Sequence, residues 1–136
     1  MSSEDRDFRI LKGLIALGGG FEFIMGIVVM LWGDLVVYLS TGMTIMPTYA
    51  LYWRSMGLLA VALGSLQLVA SNDPQRYIAV PIAAIFVRLL LQILTFIQVV
   101  ATPSMALMLI AFSLFDLLLA VLTLLYLYRT GLLRRS

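Results

Sequence analysis

The 136-residue sequence contains no cysteine and no histidine. The lack of cysteine excludes disulfides and thiol redox chemistry. The lack of histidine removes the commonest ligand of zinc and haem and the usual side chain for acid–base catalysis at neutral pH. We therefore expect no metal and no cofactor, and the sequence disfavours an enzyme.

Charge is also scarce. Only 12% of the residues are charged, 62% are hydrophobic, and the mean hydropathy is +1.06. Soluble domains carry about 25% charged residues, so most of this surface is expected to face lipid. The net charge of +2 is small. Membrane lipids are therefore the expected partners, and nucleic acid is not.

Four long apolar stretches organise the chain. Each has 20 to 25 residues, which matches a hydrocarbon core about 30 Å thick. The predicted spans are about 10–32, 50–70, 76–100 and 104–128. The sequence thus predicts one transmembrane domain over residues 1–136. Its fold class is all-α, a polytopic membrane protein built as an antiparallel four-helix transmembrane bundle.

The connection at 33–49 is the longest one. Asp34 is a possible cap for a short helix over 35–39 that lies in the membrane interface and ends at 40–42, after which Pro47 restarts the chain. An ordinary loop that covers the bundle is the alternative. A strong turn signal follows the second span, at 71–74.

Basic residues cluster at one end of the predicted bundle. They are Arg6, Arg9, Lys12, Arg76, Arg129, Arg134 and Arg135. The 33–49 connection and the 101–104 turn contain none. By the positive-inside rule, both termini are expected in the cytoplasm and the chain in the cell (inner) membrane.

Four charged residues fall within the spans: Glu22, Arg54, Arg88 and Asp116. At 1.5 Å per residue, Glu22, Arg88 and Asp116 all lie about 18 Å from the inner boundary, and Arg54 lies about 6 Å from the outer end. Since the four charges sum to zero, they are predicted to form one paired network. Gln92 shares a helical face with Arg88 and is its polar neighbour.

Two interpretations of this network remain open. It either fixes the register of a small bundle, as polar contacts between membrane helices do, or lines a cavity for a ligand, a proton or a lipid headgroup. Arg54 is the best single functional candidate, because an anionic headgroup can reach it from outside; snorkelling to the interface is its alternative role. Gln67 and Gln98 lie nearer the span ends and are expected to contact headgroups.

The second span carries a family resemblance. It reads Arg54-Ser-Met-Gly57, continues to Gly64, and ends in a turn with Asp73-Pro74. With four spans in this length, the chain resembles the DoxX-like group of small four-helix bacterial membrane proteins. That resemblance implies a membrane bundle in a group that includes accessory subunits of membrane redox complexes. It assigns no functional residue here.

The sequence therefore predicts a small non-enzymatic membrane protein, either an accessory subunit of a larger complex or a self-associating bundle in a homo-oligomer. The alternative is a transporter or a lipid- or quinone-binding protein that uses the polar cluster as its site. The candidate residues for either role are Glu22, Arg54, Arg88, Gln92 and Asp116.

Overall fold

A computed structural model describes residues 2–101 and 106–135, without the side chains at 40, 41, 48, 106–109 and 135. The described residues form helices and no strand, which confirms the all-α prediction. The helices are α1 (Ser3–Thr41), α2 (Pro47–Asn72), α3 (Ala79–Ala101), α4 (Ala106–Arg129) and the short α5 (Leu132–Arg135). Most of the predicted turn at 101–104 and the predicted start of the fourth span lie outside the described residues.

Four of these helices are long and apolar enough to cross a membrane. The qualifying segments are Ser3–Leu39, Tyr49–Asn72, Ala79–Ala101 and Ile110–Arg129. Large hydrophobic side chains are exposed on all four helices; Phe96, for example, is 71% exposed. Such a surface is unfavourable in water and is the expected surface of a protein in lipid.

Helix α1 consists of two helical segments joined by a bend. Its first turn is closed by a capping box between Ser2 and Asp5, and Gly42 ends it in the left-handed conformation at φ 69°. The backbone leaves helical geometry at Trp32 (φ −130°, ψ 31°), so the helix bends there.

The bend lies at the predicted end of the first span, residue 32, and a second helical segment follows it to Thr41. A separate helix after the first span is therefore present as predicted, but it begins directly after Trp32, so Asp34 lies inside it rather than at its cap. The predicted end at 40–42 and the restart at Pro47 are confirmed. The predicted turn after α2 is also confirmed. In it, the Asp73 carboxylate accepts a hydrogen bond from the Arg76 backbone N–H at 3.2 Å.

The closest helix packing is between α1 and α2, along a contact that we call the glycine seam: Gly19 and Gly26 on α1, and Gly57 and Gly64 on α2. A Cβ atom on Gly57 would lie 2.7 Å from the Gly26 carbonyl oxygen, and one on Gly64 would lie 2.7 Å from the Gly19 carbonyl oxygen. Gly19 contacts Gly64 and Gly26 contacts Gly57, so α1 and α2 run antiparallel along this seam. The two glycines within each helix are seven residues apart, the repeat that keeps one face of a helix against its neighbour.

Helix α4 packs against α1 and α3, whereas α2 and α3 touch much less. The buried apolar core lies at the end of the helices where both termini are. It contains Leu11, Ile15, Ala70, Ile85, Ala120, Leu127 and Leu132. At the same end Arg129 pairs with Asp7 at 3.0 Å. One end of the molecule is therefore closed, and the polar groups described next lie beyond it.

Candidate functional site

Arg88 is the centre of the site. Its Nε lies 3.1 Å from Asp116 Oδ1 and 3.5 Å from Glu22 Oε1. These three residues, the Arg88 triad, come from α3, α4 and α1. The Arg88 side chain is only 2% exposed, and the two carboxylates are 13% and 16% exposed. The structure thus brings together the three residues that the sequence placed at one depth.

Gly18 makes room for the arginine. A Cβ atom at this position would lie 2.8 Å from both Nη atoms of Arg88. The guanidinium packs directly against α1 at residue 18, and a side chain there would displace it. The glycine that precedes Glu22 by one helical turn thus has a defined packing role.

Gln67 is a member of the site that the sequence analysis did not assign. Its amide nitrogen donates a hydrogen bond to Glu22 Oε2, and its carbonyl oxygen accepts one from Arg88 Nη2 at 3.4 Å. The side chain is buried, with 2% exposed. The expectation that Gln67 contacts headgroups is therefore wrong. The sequence does contain a pattern that indicates a buried Gln67, because this residue follows Gly64 by three positions and so shares its face of α2.

Arg54 does not join the triad. It is exposed on α2, and no ion pair between described residues includes it. The face of α2 that meets α1 contains Gly57, Gly64 and Gln67, and Trp53 precedes Gly57 on it by one turn. Residue 54 is one position past Trp53, which rotates its side chain by about 100° away from that face.

The expected balance of four charges is consequently absent. The triad contains two carboxylates and one guanidinium, which gives a formal charge of −1. Moreover, Arg88 Nε is buried and forms no hydrogen bond with any described group. The contact given for each carboxylate is made through this Nε, at 3.1 Å to Asp116 and 3.5 Å to Glu22.

Gln92 lies one turn from Arg88 on α3 and faces α4. Its side-chain oxygen accepts a hydrogen bond from the Ser113 hydroxyl. This contact joins α3 to α4 on the side of the triad that is far from the termini. The structure therefore places Gln92 beside the charged residues, as the shared face predicted.

A cavity of about 310 Å³ lies against the triad, on the side away from the closed core. All four long helices line it, and it is open on one side rather than enclosed. Its polar lining consists of Glu22, Gln92, Thr95, Ser113 and Asp116. Aromatic rings of Phe21, Trp53 and Phe112 form much of its apolar wall. The site therefore combines a polar floor with apolar sides.

The described residues contain no group of three or more histidine, cysteine, aspartate or glutamate side chains that could hold a metal ion. Comparisons with protein-family models, curated proteins and solved structures each found no match. The class of the protein is therefore defined by its own features. It is a small helical protein with four candidate membrane-spanning helices and a buried ionic triad beside an open cavity.

We expect Gln67→Leu to lower the free energy of unfolding by about 1–2 kcal/mol, because Glu22 and Arg88 each lose a buried hydrogen bond. Unfolding in mixed detergent, followed by circular dichroism, measures the change. The control is Gln75→Leu, at an exposed position between α2 and α3, where a change within about 0.5 kcal/mol is expected. Equal effects at both positions would contradict the assigned role of Gln67.

Proposed function

We propose that this chain is a non-enzymatic membrane protein that binds a small lipophilic molecule taken up from the bilayer. In this proposal the four long helices form an antiparallel transmembrane bundle in the cell (inner) membrane, with both termini in the cytoplasm. The exposed apolar side chains and the basic residues at the closed end support that placement. The four-span layout also supports a DoxX-like relationship.

The cavity is the observation that carries the proposal. Its volume of about 310 Å³ is at the lower end of the range for ligand pockets, roughly 300–1,000 Å³. Its few polar groups converge on one side of an apolar space, the usual design of a small-molecule site.

A self-associating bundle or an accessory subunit is the second candidate. The weak contact between α2 and α3 favours it, because a second copy or another membrane protein can cover that gap. Light scattering of the purified protein in mild detergent distinguishes the two candidates. A homo-oligomer or a stable larger complex supports the second candidate, and a monomer that binds a ligand supports the first.

Trp53 provides a direct test of ligand binding. The sequence has two tryptophans, so Trp32→Phe leaves Trp53 in the cavity wall as the only one. A brominated neutral aromatic compound, 1-bromo-4-neopentylbenzene, is expected to quench its fluorescence saturably. Saturation distinguishes binding from partition into the micelle, which gives quenching that grows with concentration.

Cavity filling supplies the matched control. Ala60 lines the cavity, whereas Ala62 is exposed on the same helix. In the Trp32→Phe background, Ala60→Phe is expected to abolish the saturable quenching and Ala62→Phe to preserve it. Quenching that is unsaturable in every variant, or unaffected by Ala60→Phe, would refute the proposed site.

A further inference from the structure

We propose that the cavity selects a monovalent lipophilic cation, such as a substituted ammonium ion, over a neutral molecule of the same shape. This inference rests on the proposed function and specifies the ligand class for the same cavity. Charge is the first argument for it. The triad has one positive group for two carboxylates, so it carries a formal charge of −1 when both acids are ionised.

Two of the four long helices place a carboxylate at the cavity. Helix α1 contributes Glu22, and α4 contributes Asp116. Helix α3 contributes Arg88, which lies behind the two carboxylates and is not part of the cavity lining. The only charged side chain of α2 in its membrane-spanning part, Arg54, is exposed and does not line the cavity. The face that a ligand meets is therefore acidic.

Asp116 is the group that meets the cation. Its carboxylate lines the cavity, is 16% exposed, and accepts no hydrogen bond from the part of the chain that the structure describes. Glu22, by contrast, is held by the Gln67 amide. Arg88 approaches Asp116 through Nε, at 3.1 Å from Oδ1, and this Nε forms no hydrogen bond with a described group. Asp116 thus retains its capacity to attract a positive group from the cavity.

The walls favour an organic cation over a metal ion. Phe21, Trp53 and Phe112 present aromatic surface to the cavity, and aromatic faces attract organic ammonium groups. A metal ion requires several oxygen ligands in its first coordination sphere. The described residues contain no group of three or more acidic, histidine or cysteine side chains for such an ion, and the rest of the cavity lining is mostly apolar.

The test compares two probes that differ in one atom. 4-Bromobenzyltrimethylammonium carries a quaternary nitrogen where 1-bromo-4-neopentylbenzene has a carbon, so shape and quenching bromine are shared. In the Trp32→Phe protein, after correction for partition into the micelle, the cation is expected to bind at least roughly tenfold more tightly, because attraction by a carboxylate and aromatic faces acts on the charge alone.

Asp116→Asn is expected to bring the two dissociation constants to within about twofold of each other, since Glu22 and Arg88 then balance in charge. Saturable quenching by the neutral probe shows that this variant retains its cavity. Glu22→Gln is the second variant, and it should reduce the preference for the cation as well.

The outcomes separate the two proposals. Equal binding of both probes to the Trp32→Phe protein would overturn the cation preference and leave the proposed function standing. A preference for the cationic probe that persists in both the Asp116→Asn variant and the Glu22→Gln variant would also overturn the cation proposal. Unsaturable quenching by both probes would refute the cavity as a binding site, and the cation proposal with it.

Discussion

Arg88→Met is expected to reduce the free energy of unfolding by about 3–5 kcal/mol, the usual effect of removing one partner from a buried ion pair. The substitution leaves Glu22 and Asp116 as two neighbouring carboxylates without a positive group. The arginine is 2% exposed, so the substitution removes a charge from a buried position. Titration with a denaturing detergent, followed by circular dichroism, measures the loss.

Arg54→Met is the matched control. It makes the same chemical change at an exposed position of α2 that takes part in no described ion pair. We expect its free energy of unfolding to stay within about 0.5 kcal/mol of the unmodified protein. If both arginine variants lose the same stability, Arg88 has no special role and the assigned triad is wrong.

Gly57→Ala is expected to have the second-largest effect, a loss of about 1–3 kcal/mol. The new Cβ atom would lie 2.5 Å from the Met30 backbone nitrogen and 2.7 Å from the Gly26 carbonyl oxygen. Both atoms belong to helix backbone, so α1 and α2 must move apart along the glycine seam. Thermal unfolding in the same detergent reports the change.

Gly20→Ala provides the comparison. Gly20 lies in the middle of α1, but a Cβ atom there meets no described atom within 4 Å. Alanine is favoured over glycine in a helix by up to about 1 kcal/mol, so this variant should be as stable as the unmodified protein or more stable. A Gly57→Ala protein that is also stabilised would show that the two helices are not in backbone contact at this glycine.

The parts of the fold that sequence reasoning reached are those governed by length and periodicity. Apolar stretches of more than 20 residues specify helices long enough to span a bilayer, and the structure has four of them. The depths estimated from the sequence also identified the three triad residues, because they too depend only on length along a helix. A fixed rise per residue places Glu22, Arg88 and Asp116 at one level before any contact is known.

The parts that it missed depend on small rotations and on packing between helices. Arg54 and Gly57 look like one stripe at a spacing of three, yet the face that meets α1 runs through Trp53, and Arg54 is turned away from it. Gln67 seemed too near a span end to be buried, although it follows Gly64 on the packed face. The cavity arises from the packing of four helices, which periodicity does not encode.

The stability of the triple variant Glu22→Gln/Arg88→Met/Asp116→Asn tests the central claim most directly, namely that one arginine serves two carboxylates as a single buried cluster. Neutral replacement of a complete buried ion cluster is often tolerated, whereas removal of one partner is not. We therefore predict that the triple variant recovers most of the free energy of unfolding lost in Arg88→Met. A triple variant whose loss equals or exceeds the sum of the three single losses would contradict the claim.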